Sequence, residues 1–329
     1  MNRLTIFTLK AIRKVCTMYL FKNKGTIMPK IDNPNIASEK IYELLSSDNP
    51  CMIARFGSTE LECLITFLSV NNPKRSYINY FAGKQKEWWW NETGMQQMQQ
   101  WSGFFPLDVD ALSKFCKLML FDIKQLNLLG SWCDKNEYMI KDMLLNVEKV
   151  TLLFLEPYWA KNPWSRALKG KKVLVIHPFA NLIQKQYKEN RTKLFKNPDV
   201  LPEFELHTIE AVQSIGGETH GFSDWFEALQ WMENEMDKTE YDIALIGCGA
   251  YGFSLAAHAK RMGKKAVHLG GALQLLFGIK GKRWENPNYG IKEFGVQNKY
   301  KELFNEYWIR PDEQHTPKAA KNVEGGCYW

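Results

Sequence analysis

Residues 243–271 read IALIGCGAYGFSLAAHAKRMGKKAVHLGG. An uninterrupted apolar run, IALIG at 243–247, leads into the turn Gly247-Cys248-Gly249-Ala250-Tyr251-Gly252. A helical pattern covers 252–262, and a second apolar run, AVHLG, closes the unit at 266–270. Short apolar runs without polar alternation are strands covered on both faces. Two such strands joined through a helix form a parallel crossover unit.

The same alternation extends toward the N-terminus. Apolar runs recur at 51–55, 126–130, 150–155, 173–177 and 205–209. Helical patterns cover 36–46, 59–70, 91–101, 109–124, 180–192 and 224–236. The pattern predicts an α/β fold, Rossmann-like, with a mostly parallel sheet and helices on both faces. No linker or repeat divides it, so residues 31–329 read as one domain behind an extension, 1–30.

The extension holds the charge imbalance. The chain has 43 Lys and Arg against 36 Asp and Glu, a formal charge of +7. Residues 1–31 contain Arg3, Lys10, Arg13, Lys14, Lys22, Lys24 and Lys30 and no acid, which leaves the remainder neutral. A nucleic-acid binder spreads its bases over a face or groove, so nucleic acid is not an expected partner. On a helix, Leu4, Phe7, Ala11, Val15 and Met18 form one stripe, with Gly25 and Pro29 ending the segment. Such a helix either lies on an anionic membrane surface, through residues 1–24, or packs on its own protein or a partner chain. Lys10, Arg13 and Lys14 interrupt any signal-peptide core. The seven cysteines form no C-x-x-C pair and are odd in number, which favours a reducing cytoplasm over a disulfide framework.

Four stretches carry candidate chemistry. Arg55-Phe56-Gly57-Ser58-Thr59-Glu60 follows the first strand, where ligands of parallel sheets bind. Ser58 equally suits an N-cap of the helix that follows. Gly247, Gly249, Ala250, Tyr251 and Gly252 match a phosphate-cradling G-x-G-x-x-G turn. The next strand ends in Val267-His268-Leu269-Gly270, without the acid a dinucleotide ribose needs, so an NAD enzyme ranks last. The same turn also serves plain strand–helix packing. Lys280, Lys282 and Arg283, among glycines beside Trp284, could clamp a diphosphate. Glu218, His220 and Asp224 in a polar loop are candidate general bases, though Ser223 or Asp224 could simply cap the next helix. His177 ends a strand, where site residues sit.

Two of these blocks resemble the GT-D-type bacterial glycosyltransferases. RFGSTEL at 55–61 is similar to the family's R-F-G-D-G-E-L, and 243–271 is similar to its C-terminal strand–turn–helix–strand unit. QLLFGIKGKRW and the tail VEGGCYW resemble a subgroup associated with surface-polysaccharide and capsule clusters. The resemblance implies transfer of a sugar from a UDP-sugar donor to a glycan or lipid-linked acceptor, with Mn²⁺ or Mg²⁺ assisting. Ser58 stands where the family has its Asp, leaving Glu60 as the matching carboxylate for the metal. In an extended segment those two side chains would share one face and one ion. The implied roles place the donor on Gly57, Ser58 and the glycine turn, with Arg55 and Glu60 catalytic. The implied location is the cytoplasmic face of a membrane. The rival class is a non-catalytic sugar-nucleotide-binding or scaffold subunit of an assembly complex.

Overall fold

The structure, a computed structural model, describes residues 2–20, 28–323 and 325–329. Lys22, Lys24 and Gly25 of the basic leader lie outside the described residues. The core of the fold is a seven-stranded, all-parallel sheet. Its strands are β1 (Cys51–Ala54), β2 (Leu126–Ser131), β3 (Glu148–Thr151), β4 (Lys172–His177), β5 (Glu205–Glu210), β6 (Ile243–Ile246) and β7 (Lys265–His268). They lie in the order β3-β2-β1-β7-β6-β4-β5. The α/β, Rossmann-like architecture with helices on both faces is therefore as the sequence reads. One apolar run ends early: after Thr151, residues 152–155 leave the sheet as a 3₁₀ turn.

The helices that matter here are α1 (Arg3–Tyr19), α2 (Pro34–Ser46), α3 (Ser58–Val70), α4 (Tyr77–Phe81), α5 (Glu92–Gln100), α6 (Val109–Asp122), α7 (Asp134–Met139), α8 (Ala180–Leu194), α9 (Trp225–Lys238) and α10 (Tyr251–Arg261). Successive strand residues feed opposite cores, as the period of two demands. Met52, Ala54, Leu174, Ile176, Ala244 and Ile246 pack with residues of α3, α6, α9 and α10. Cys51, Ile53, Val173, Val175, Ile243 and Leu245 pack with α2, α8 and the C-terminal segments. α10 is nearly all apolar because it is buried between strands and neighbouring helices; its basic residues, His258, Lys260 and Arg261, stand in its last turn. Arg261 pairs with the buried Asp122 at 2.6 Å. Even so, burial outweighs that partner and holds the Asp122 carboxyl up at about 6.

The crossovers prepare the site. The chain leaving β1 enters α3 on one face, while the chain leaving the adjacent β7 runs to Leu273 in the other core. Neighbouring strands whose exits diverge open a crevice at their carboxyl ends. β4 and β6 diverge in the same way, into α8 and α10.

α1 is held by the side opposite its predicted stripe. Asn2 caps it, accepting from the Thr5 amide at 2.8 Å. Leu9 is buried with Tyr80, Trp88 and Trp89, and Ile6 packs on that cluster. Arg13 stacks over the Tyr80 ring at 4.5 Å and reaches Glu87 at 3.3 Å. Leu4, Phe7, Val15 and Met18 remain 75, 71, 55 and 54% exposed. Among the described residues no helix is long and apolar enough to cross a membrane.

Candidate active site

The crevice is an open cleft of about 190 Å³ at the carboxyl ends of β1, β2, β4, β6 and β7. Arg55, Ser58 and Glu60 enter from the β1 exit, Trp132 from β2, His177 from β4, Gly247 and Gly249 from β6, and Gly270 from β7. The C-terminal tail closes the remaining side with Tyr328 and Trp329.

Local chemistry fixes these groups. Phe56 is fully buried and stacks on Phe253 of α10 at 4.9 Å, which anchors the loop that carries Arg55 and Gly57. Trp132 donates its indole N–H to the Phe56 carbonyl at 2.9 Å. The Arg55 guanidinium lies over the Trp132 ring, 5.0 Å from its centroid. Glu137 of α7 accepts from the Trp132 and Cys133 amides, each at 3.0 Å, and from the Ser131 hydroxyl, so the loop after β2 is tied on three sides. These bonds preorganise a cation and an aromatic wall.

The first helical residue of α3 is Ser58, and its N-cap is Gly57, with no side-chain cap bond. Ser58 is therefore not the cap that its hydroxyl suggests. Glu60, at the third helical position, folds back so far that a Cβ on Gly57 would lie 1.8 Å from its Oε2. Glycine at position 57 is what lets the carboxylate occupy that place. Among the described residues lining the cleft, Glu60 is the one carboxylate, set against the cations Arg55 and Arg283.

The glycine turn divides into two parts. Gly247, Cys248 and Gly249 line the cleft, and α10 starts just beyond them. A Cβ on Gly247 would come within 2.6 Å of the Gly270 carbonyl and 2.7 Å of the His177 ring, so the ends of β4, β6 and β7 meet there only through glycine. Gly249 has φ +58 and open space around it. The second half of the motif is packing. Tyr251 stacks on Trp225 at 4.8 Å and shares a 2.7 Å hydrogen bond with Ser214. Gly252 faces the His268 ring, where a Cβ would lie 2.3 Å away. Ala250 is buried and lines only a small recess behind the cleft. Tyr251 and Gly252 thus leave the donor-binding set predicted from the motif.

His177 and His268 are buried, and loss of water pushes both imidazoles down to about 3, with nearby Arg55 adding to the effect at His268. Both are neutral at physiological pH. His177 accepts from the Phe179 amide at 3.0 Å, which orients its ring at the cleft floor.

The 218–224 loop does not reach the cleft lining. Asp224 caps α9, accepting from the Glu227 amide at 2.7 Å, and Glu227 in turn accepts from the Ser223 hydroxyl at 2.7 Å. His220 has φ +50 and its Nε2 lies 2.7 Å from the Gln213 carbonyl, with Glu218 3.8 Å away. These are capping and loop-closing contacts. The basic cluster also separates. Arg283 lines the cleft, donating to the Tyr328 hydroxyl at 2.9 Å. Lys282 lines the adjoining space, and Lys280 turns to Glu285 at 3.5 Å and the Phe304 ring.

Mn²⁺ or Mg²⁺ would ask for about six oxygen ligands. Among the described residues no three His, Cys, Asp or Glu side chains converge. Ser58 and Glu60 stand in a helical turn rather than an extended segment, where residues two apart diverge. The residues present do not fit an ion held by the protein alone.

Trp101, Trp132 and Gln213 line the cleft although no sequence motif points to them. Trp132 was findable, since it directly follows an apolar strand. The tail VEGGCYW stood out in sequence only by resemblance; its place in the cleft is tertiary, since absent Cβ atoms at Gly271 and Gly281 make room for Tyr328.

No family model matches the chain, and no curated protein does. Two solved structures are similar to it. One is a selenomethionine-substituted domain of unknown function 1792, at 12% identity and TM-score 0.41, covering 93% of this chain and 96% of that one. The other is that highly conserved domain described as having a distinct glycosyltransferase fold, at 11% identity and TM-score 0.39, with the same coverage. Likeness of this degree places no residue of the cleft, so the functional reading rests on the cleft's own chemistry.

Proposed function

We propose that this protein is a glycosyltransferase that moves a sugar from a UDP-sugar to a glycan or lipid-linked acceptor in surface-polysaccharide assembly. The observation that carries this reading is one cleft that brings together glycine-built strand ends, two arginines, one carboxylate and aromatic walls. A diphosphate fits the turn at Gly247–Gly249, where the start of α10 favours an anion. Trp101, Trp132 and Trp329 offer faces for a base or sugar.

In the transfer, an acceptor hydroxyl oxygen bonds to the anomeric carbon as the bond from that carbon to the β-phosphate oxygen breaks. The electron pair leaves with UDP, whose growing charge Arg55 and Arg283 stabilise. The acceptor proton passes to Glu60, the carboxylate within the cleft. This assignment replaces the 218–224 loop as the source of the base. The two arginines supply the positive charge that a divalent ion would otherwise bring, so chelation by EDTA is expected to leave most of the turnover.

The outward stripe of α1 supports work at the cytoplasmic face of a membrane. Its Leu4, Phe7, Val15 and Met18 are exposed, with Arg3 and Lys14 also facing water. An apolar stripe beside bases suits anionic lipid.

The test is UDP release from a panel of UDP-sugars with glycan and lipid-linked acceptors, with EDTA or Mn²⁺. Glu60→Gln and Arg55→Ala should each lower turnover at least tenfold while leaving the melting temperature in place. Tight donor binding without turnover on any acceptor would instead identify a non-catalytic sugar-nucleotide-binding subunit.

A further inference from the structure

Residues 88–90 are three consecutive tryptophans, and none of them lines the cleft. Trp88 joins the small core under α1. Trp89 and Trp90 line a separate hollow of about 160 Å³ between α1, α3 and α5. A cavity of about 150 Å³ takes one benzene molecule, so this space has the size of a single six-membered ring. α3 serves both spaces. Thr59, Glu62, Cys63 and Thr66 fall three and four apart, so they share the helix face that lines the hollow. Thr59 also lines the cleft, and Glu60 belongs to the cleft alone of the two.

The charge of the hollow is balanced. Lys86 pairs with Glu62, which also accepts from the Asn136 amide at 3.0 Å. Arg13 of α1 pairs with Glu87 at 3.3 Å. Each base among the described lining residues thus has an acid beside it, an arrangement unsuited to a phosphate. The hollow offers uncharged hydrogen bonding and flat faces instead. The Trp89 indole N–H is buried with no hydrogen-bond partner. Such a donor costs stability until something accepts from it. The amides of Asn91 and Gln97 stand in the same wall, and Trp90 is only half-buried.

Gly94 adds an independent sign. It lies inside α5, where glycine weakens a helix relative to alanine. Among the described residues no neighbouring group comes within 4 Å of where its Cβ would be, so packing does not require a glycine there. Yet Gly94 lines the hollow, and close approach of a ligand to backbone is a use that glycine serves.

We propose that this hollow is a second carbohydrate site, which holds one uncharged sugar ring apart from the donor. The ring lies on Trp90 and against α5 at Gly94. One hydroxyl accepts from the Trp89 indole, and others bond to the amides of Asn91 and Gln97. The site rests on the glycosyltransferase reading only for the source of the ring, the glycan under assembly.

The experiment is saturation-transfer NMR of the full chain, with and without saturating UDP. The probes are the methyl glycosides of glucose, galactose, N-acetylglucosamine and rhamnose, with methyl glucuronide as the charged counterpart of the glucoside. At least one neutral glycoside should bind, equally well in both conditions, and the glucuronide should bind no more tightly than the glucoside. Gly94→Leu should abolish binding while the melting temperature holds or rises, because leucine favours the helix and its Cβ enters open space. Misfolding would lower that temperature instead. Trp90→Ala should weaken binding about tenfold through loss of the stacking face. UDP affinity should be unchanged in both variants. The proposal fails if no neutral glycoside binds, if UDP displaces it, if the glucuronide is preferred, or if Gly94→Leu binds as well as the parent. Failure of the glycosyltransferase reading shows separately, as absence of UDP binding with glycoside binding retained.

Discussion

Gly57→Ala isolates the role of Glu60. The backbone at position 57 has φ −70 and ψ 141, which alanine adopts without strain. Loss of glycine at an N-cap costs on the order of 1 kcal/mol. Reduced freedom of the unfolded chain returns about 0.4–1 kcal/mol, so stability should barely move. The site is another matter. The new Cβ would lie 1.8 Å from Glu60 Oε2 and 2.3 Å from its Cδ. Ordinary contact lies near 3.5 Å, so the carboxylate must retreat by about 1.5 Å. It is the free end of a side chain and can swing away at little cost. A displacement of about 1 Å in a reacting group costs on the order of 100-fold in rate. Gly57→Ala should therefore lose about 100-fold in UDP-sugar turnover, with a melting temperature close to that of the parent and donor affinity retained. Because the change acts through Glu60, Gly57→Ala/Glu60→Gln should be no worse than Glu60→Gln alone. Full activity in Gly57→Ala, or losses that simply multiply in the double variant, would refute this role for Glu60.

Gly252→Ala should behave in the opposite way. Its Cβ would meet the buried His268 ring at 2.3 Å, so overpacking should cost about 1–3 kcal/mol, read as a lower denaturant midpoint. On the surface, Phe7→Glu/Val15→Glu should abolish sedimentation with anionic vesicles and leave the fold and UDP binding intact, since both side chains are exposed; retained sedimentation would remove the membrane role. Glu156 gives a pH signature. It is buried, accepts from Tyr300 and Trp159 at 2.7 Å each, and burial raises its carboxyl to about 7. Because the folded state holds the proton more tightly, its contribution is complete below the unfolded value near 4.5 and is lost as pH rises through about 7. Glu156→Gln should remove that dependence, so the stability of the parent relative to the variant falls by on the order of 1–3 kcal/mol between pH 5 and 8 in calorimetric scans.

The inner strands β1, β2, β4, β6 and β7 were legible because they are buried on both faces and read as continuous apolar runs. The site was legible only where local geometry and chemistry coincide. Arg55 lies in the turn leaving β1 and Glu60 in the first turn of α3, both placed by one strand end, so the rule that ligands bind at carboxyl ends pointed to them. Tyr251 and Gly252 matched a motif whose spacing serves packing as well as phosphates; only Trp225 and His268, distant in sequence, show which use is made here. Asp224 illustrates the reverse case. An acid opening a helix is first a cap, and the Glu227 amide takes it. Charge clusters were the least legible: of three bases close in sequence, Lys282 and Arg283 share the adjoining space, Arg283 alone also lines the cleft, and Lys280 turns away to Glu285.

On the proposed reading, one crevice must hold both a donor and an acceptor. The β1–β7 junction opens a single space, and a bimolecular transfer needs two spaces that meet at one point. The chain divides the crevice with side chains rather than with another strand: Arg55 leaves β1, Trp132 leaves β2, and the Phe56 carbonyl ties the two exits together. A partition made from a cation and an indole does more than separate. The Arg55 guanidinium and the Trp132 ring line both the cleft and the adjoining space, so on the proposed reading one stacked pair contacts donor and acceptor alike. Arg55→Lys keeps that charge but loses the flat stacking face. It should therefore preserve UDP affinity while weakening the coupling between the two ligands, which a titration of one in the presence of the other would read directly. Equal coupling in the lysine variant would mean that charge alone, and not the stacked wall, joins the two sites.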